Sequence, residues 1–164
     1  MRIGKLFGAS RGQSVVELAI SLPLVMMLIM GVIDFGWVLY AHIQVAAASY
    51  EGARAGALFP GDWTATDAIN QQARTQAVDN AIYNSSVTPP TSALGMLKTV
   101  SPYFDVAMDV VVSFPGAALN VVGQGQEMDV KVTYHQPVWF RIIPGVNNAT
   151  GTFGVSTTTK VRIQ

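Results

Sequence analysis

Apolar positions crowd one end of this chain and alternate along the other. From Gln13 to Ile33 the only formal charge is Glu17, and Val15 to Ile33 is a run of 19 residues dominated by Val, Leu, Ile and Met. Wound as a helix, that run rises roughly 28 Å, enough to span a hydrocarbon layer of about 30 Å. Asp34 then falls at the far interface, with Trp37 and Tyr40 following as aromatic anchors. Pro23 deprives the Ala19 carbonyl of its helical partner and predicts a bend. Beyond the run, Ala41–Leu58 is alanine-rich and free of proline, so one helix is expected from about Ser14 to Leu58, or about 67 Å. Within it Ala48, Gly52 and Gly56 recur every four residues as a small-residue stripe that permits close backbone approach. The stripe receives either another subunit's helix or the chain's own sheet, and Glu51 and Arg54 beside it are spaced to pair.

After Phe59-Pro60-Gly61 the period changes. Thr64 and Asp67 resemble a helix start, and Ala65, Ile69, Ala73, Ala77 and Ala81 line one face of a helix expected over 67–83. Asn84 to Pro102, with Pro89-Pro90 and many hydroxyl residues, reads as a loop with one short turn around Leu94–Lys98. Three alternating stretches then predict strands at Phe104–Phe114, Glu127–His135 and Thr152–Ile163. Their apolar faces are Phe104/Val106/Met108/Val110/Val112/Phe114, Met128/Val130/Val132/Tyr134, and Phe153/Val155/Thr157/Thr159/Val161/Ile163. One-sided alternation fits an antiparallel sheet with one face on helices and one in water. The predicted class is α+β: the outer half of a long N-terminal helix packed on an antiparallel sheet of three to four strands, plus one shorter helix. Five large apolar residues in Val138–Ile143, flanked by Pro137 and Pro144, are unusual for a loop. They cap the core by default, or else meet a membrane leaflet or a partner.

Charge sharpens this picture. The 164 residues hold 10 basic and 10 acidic side chains, and charged residues make up only 12% of the chain. Residues 1–12 carry Arg2, Lys5 and Arg11 and no acid, leaving a deficit of three positive charges in the remainder. A basic tip before an apolar run addresses a membrane and, by the positive-inside rule, stays cytoplasmic while the C-terminal part is exported. A cleavable secretory signal fits less well: the apolar run exceeds the usual ~7–15 residues and no A-x-A-like site follows it. Zero net charge argues against nucleic acid as a partner. The absence of cysteine removes disulfides, thiol chemistry and Cys-based metal sites.

The order basic leader, Gly12, Gln13-Ser14-Val15-Val16, Glu17, apolar helix resembles the processing signal of type IV prepilins. Arg11-Gly12-Gln13-Ser14-Val15-Val16-Glu17-Leu18-Ala19, Leu22-Pro23-Leu24, Gly31-Val32-Ile33-Asp34-Phe35-Gly36 and Glu51-Gly52-Ala53-Arg54 together resemble the TadE family, pilin-like minor proteins of tight-adherence (Tad) pilus systems. The resemblance covers about residues 11–56. It departs at Leu18, where major Tad pilins carry Tyr, which disfavours a major-pilin role. It implies cleavage between Gly12 and Gln13 by a membrane prepilin peptidase. The implied division is a basic leader 1–12, a membrane helix and stalk 13–58, and an exported domain 59–164. The implied partners are other pilin-like subunits, the peptidase, the pilus assembly platform and membrane lipid. Cleavage would expose an α-amino group on Gln13, one helical turn from Glu17. In a bundle, Glu17 would meet a neighbour's amino terminus and fix axial register. A filament-forming pilin, or an uncleaved single-pass anchor carrying an extracytoplasmic binding module, would share these features; an anchored enzyme ranks behind both.

Catalytic motifs do not survive scrutiny. Gly8-Ala9-Ser10-Arg11-Gly12 fits G-x-S-x-G, but no strand precedes it as a nucleophile elbow requires. His42 and His135 are isolated and lack ligand spacing. Asp105, Asp109, Glu127 and Asp129 would share the sheet's outer face, as solvated acids by default or as a weak cation cluster. Gly123-Gln124-Gly125 has turn composition. No cofactor and no metal are expected.

Overall fold

A computed structural model describes residues 9–61, 67–84, 91–92, 94, 97, 103–105, 109–115, 125–139, 145–147 and 150–164. Helix α1 runs from Ala9 to Leu58 without a break at Pro23. It begins earlier than the expected Ser14. A single internal glycine such as Gly12 costs only about 1 kcal/mol against alanine, too little to end a helix that both neighbours favour. Helix α2 follows at Asp67–Ile82, and two-residue strands β1 (Tyr83–Asn84) and β2 (Thr91–Ser92) pair antiparallel beyond it. The main sheet comprises β3 (Val110–Ser113), β4 (Glu127–Pro137), β5 (Val146–Asn147) and β6 (Thr152–Arg162), antiparallel in the order β3-β4-β6-β5. The class is α+β, a long apolar helix packing on a four-stranded antiparallel sheet with one shorter helix.

The chain divides into two units, residues 1–36 and 37–164. In the first, residues 12–33 are all exposed, and large apolar side chains point outward on every side of the helix. A helix apolar all round has no polar face to give to water, which is the pattern of a membrane span. It is long and apolar enough to cross a membrane once.

The second unit is built around the β4–β6 ladder, whose eleven pairs run from Glu127↔Arg162 to Pro137↔Thr152. Strand period two puts Met128, Val130, Val132 and Tyr134 on the inner face, where all four are buried. Ala41, Val45, Ala48 and Ala53 of α1, with Val78 and Ile82 of α2, close the core over them. Ser49 of α1 ties helix to sheet through its hydroxyl, 2.7 Å from that of Thr159 on β6. The connection into β6 turns at Gly151, whose φ of 68° suits a residue without a Cβ.

Three expectations need correction. The face of α2 that packs is Asn70–Arg74–Val78–Ile82, while Ile69 is exposed and Ala73, Ala77 and Ala81 are half-buried. The two large aliphatic residues set the helix's rotation, and the alanine row lies one position away; Ala65 lies outside the described residues. The strand expected over 104–114 is only Val110–Ser113. Asp109 closes a local turn instead: its amide donates to the Asp105 carbonyl (2.7 Å) and its carboxylate accepts from the Asp105 amide (2.8 Å). Short polar side chains compete with ladder formation in this way; residues 106–108 lie outside the described residues. Within Gln136–Gly145, Val138 is buried but Trp139 is 83% exposed and does not cap the core; residues 140–144 lie outside the described residues. The turn expected near Leu94–Lys98 retains a Leu97 amide to Leu94 carbonyl bond, and both leucines are buried; Lys98 is outside the described residues.

Candidate functional site

Gly12, Gln13 and Glu17 lie on α1 and all three are exposed. A Cβ placed on Gly12 would meet nothing within 4 Å, so the described fold leaves this junction sterically open. Helical geometry stacks Gln13 and Glu17 one turn apart on a common face. Pro23 is exposed in the same rod, whereas Asp34 is only 5% exposed. The expected interfacial aspartate is thus a buried one. Trp37 and Tyr40, one turn apart, contact edge-to-face with centroids 6.1 Å apart.

The small-residue stripe seats the chain's own elements. A Cβ on Gly52 would come within 2.8 Å of Ile82 Cδ1, and one on Gly56 within 2.6 Å of Met128 Cε and 2.8 Å of Val78 Cγ2. Ala48 is fully buried. Of the two readings left open by the sequence, this geometry supplies the internal one, with α2 and β4 as the elements received. The opposite face of α1 carries Leu39, Ile43, Ala47, Tyr50 and Leu58, all exposed. Among the described residues Glu51 and Arg54 make no ion pair; both are exposed, where such pairs gain little.

A residue that the sequence did not single out closes the end of α1. Arg74 is 1% exposed, and its Nη1 donates to the Gly56 carbonyl at 2.7 Å. That carbonyl belongs to the last turn, where helical partners run out, and α1 has no basic residue of its own there. The guanidinium also lies 6.0 Å from the centre of the Phe59 ring, and burial holds its pKa below the usual arginine value. The next carbonyl, Ala57, accepts from the Gln164 amide at 3.4 Å.

The acids on the sheet do not cluster. Asp109 Oδ1 lies 3.3 Å from His135 Nε2, Asp129 lies 3.3 Å from Lys160, and Glu127 stands opposite Arg162 in register. Antiparallel register sets Asp129 beside Lys160 and places Glu127 across from Arg162 without a salt bridge among the described residues. His135, isolated in sequence, is therefore paired in space, while His42 is exposed on α1. Among the described residues no group of three or more His, Asp and Glu side chains is placed to hold a metal ion.

Residues 12–54 match the family model described as TadE-like protein. Over that segment the chain is similar to TadE-like proteins. No curated protein and no solved structure matches the chain. The TadE-like segment begins at Gly12, takes in Gln13, Glu17, Pro23, Asp34, Ala48 and Gly52, and ends before Gly56. It therefore covers the apolar rod and most of the helix face that carries the domain, but neither the sheet nor α2. Arg74 and the Asp109–His135 pair fall outside it. Only the position of Arg74 four residues before Val78, on the row that ends at Ile82, hinted at its burial.

Proposed function

We propose that this TadE-like protein is a structural, pilin-like subunit, a minor pilin or pseudopilin. It acts in assembly of a Tad-type pilus after a prepilin peptidase cleaves between Gly12 and Gln13. The observation that carries this reading is the coincidence of the TadE-like segment with a helix that is apolar all round in its first half and domain-bearing in its second. The chain sits in the cytoplasmic membrane as a single pass, leader inside and residues 59–164 outside, and passes from there into the pilus. Its partners are other pilin-like subunits, the peptidase, the assembly platform and lipid. Its role is mechanical rather than catalytic, in keeping with a pilin-like family.

The chemistry follows from charge in a low dielectric. Cleavage removes the three leader cations and creates one ammonium on Gln13. An ionised carboxylate inside a membrane costs about 2.5–3.5 kcal/mol at mid-depth on insertion scales, less near an interface. Meeting a neighbour's ammonium relieves both charges, and the contact forms at only one axial offset, so Glu17 sets the stagger between helices. The test is Glu17→Ala, with cleavage followed by mass and incorporation followed in isolated assemblies. Normal cleavage with lost incorporation supports the register role; wild-type incorporation contradicts it.

A further inference from the structure

Among the described residues the outer edge of β6 has no strand partner over most of its length. Among the described residues β5 pairs only with Thr152 and Phe153, leaving residues 154–162 without a neighbour on that side. Ile163 donates its amide to Gln126 and accepts from Gly125, so odd-numbered residues at this end of β6 turn their backbone groups toward β4. Lys160 and Arg162, of opposite parity, turn theirs outward. Gln164 obeys the same alternation, since its amide leaves the sheet for the Ala57 carbonyl of α1. A groove of about 240 Å³ runs along this edge. Its helix wall holds Tyr50, Arg54 and Leu58; its strand wall runs from Thr159 to Arg162. Tyr50 and Leu58 are 60% and 54% exposed.

Among the described residues no acidic side chain lines the groove, while three cations do. Lys160 is engaged by Asp129, but Arg54 and Arg162 make no ion pair among the described residues. From this edge and this charge we infer that the groove receives an extended, acidic segment of a partner protein, which adds to β6 as a further strand. Backbone groups of Lys160 and Arg162 supply the ladder bonds, as in other cases of strand addition. Alternation then dictates the partner's pattern. Its outward side chains stand beside Lys160 and Arg162 and are acidic; its inward ones lie over Val161, Tyr50 and Leu58 and are apolar. This interaction is separate from leader processing and helix register, and holds whether or not residues 1–12 are removed.

The experiment uses the full chain in mild detergent and labelled peptides that alternate valine with glutamate, valine with lysine, or valine with glutamate bearing N-methyl groups on alternate amides. Binding is read as fluorescence anisotropy over empty micelles. The valine–glutamate peptide is expected to bind saturably and the other two not to. The double substitution Arg54→Glu with Arg162→Glu is expected to weaken binding about tenfold. No saturable binding of the first peptide overturns the inference, as does equal binding of the lysine peptide. Equal binding of the N-methylated peptide overturns strand addition. If the double variant fails to fold, the three peptides on the unaltered chain decide the matter alone.

Discussion

Truncating Arg74 is the sharpest probe of how α1 is fastened to the rest of its domain. In Arg74→Ala the Gly56 carbonyl loses a charged donor at 2.7 Å, a loss worth about 1.5–3 kcal/mol. The Phe59 contact contributes about 0.5–1 kcal/mol, and two buried methylenes about 0.8 kcal/mol each. Against this stands the relief of a desolvated guanidinium whose Nε has no hydrogen-bond partner among the described residues. The net expectation is a loss of about 2–4 kcal/mol, or roughly 6–16 °C in Tm for a domain of this size. Near-UV circular dichroism on the full chain in detergent measures the melt, and hydrogen exchange over residues 56–58 reports the helix end locally. Arg74→Met separates the effects, because it keeps the stem and removes the donor. It should fall between wild type and alanine. A methionine variant that melts at or above wild type would refute the reasoning, since it would mean that burying the cation costs more than the cap returns.

Two further substitutions probe the same packing. Gly56→Val should cost about 2–3 kcal/mol in the same melt, because its methyls would press on Val78, a stiff β-branched side chain already 2.8 Å from the first added carbon. Gly31→Ala, where nothing lies within 4 Å, is the control and should leave that melt unchanged. Burial raises the Asp79 pKa, so the native state binds the proton more tightly than the unfolded chain does. This group therefore favours folding below the ordinary carboxylate value near 3.8, and that contribution is lost as pH rises through the raised one. Asp79→Asn should flatten stability over that window and match or exceed wild type at neutral pH, checked by melts at stepped pH.

What the sequence disclosed follows from the range of the forces involved. The rod, α2 and the two long strands declare themselves through periodicity, a local property that Met128, Val130, Val132 and Tyr134 display within eight residues. The TadE-like segment was legible for the same reason, being contiguous. The rotation of α2 was not, because alanine is apolar enough to suggest a face and too small to enforce one against Val78 and Ile82. Nor was the shortening of β3, since alternation over 104–114 is intact and the bonds between Asp105 and Asp109 override it. Arg74 in a row of glutamines and alanines reads as a solvated cation until a helix end eighteen residues earlier is brought to it. The pairing of Asp109 with His135 likewise depends on a register that no local pattern encodes.

Removal of the leader separates a pilin-like subunit from a permanent membrane anchor. Intact-mass and terminal-peptide analysis of the chain isolated from its native membrane, and from any assembly that contains it, measures this directly. A mature chain that begins at Gln13 is the predicted result; one that still begins at Met1 wherever the protein is assembled would contradict it.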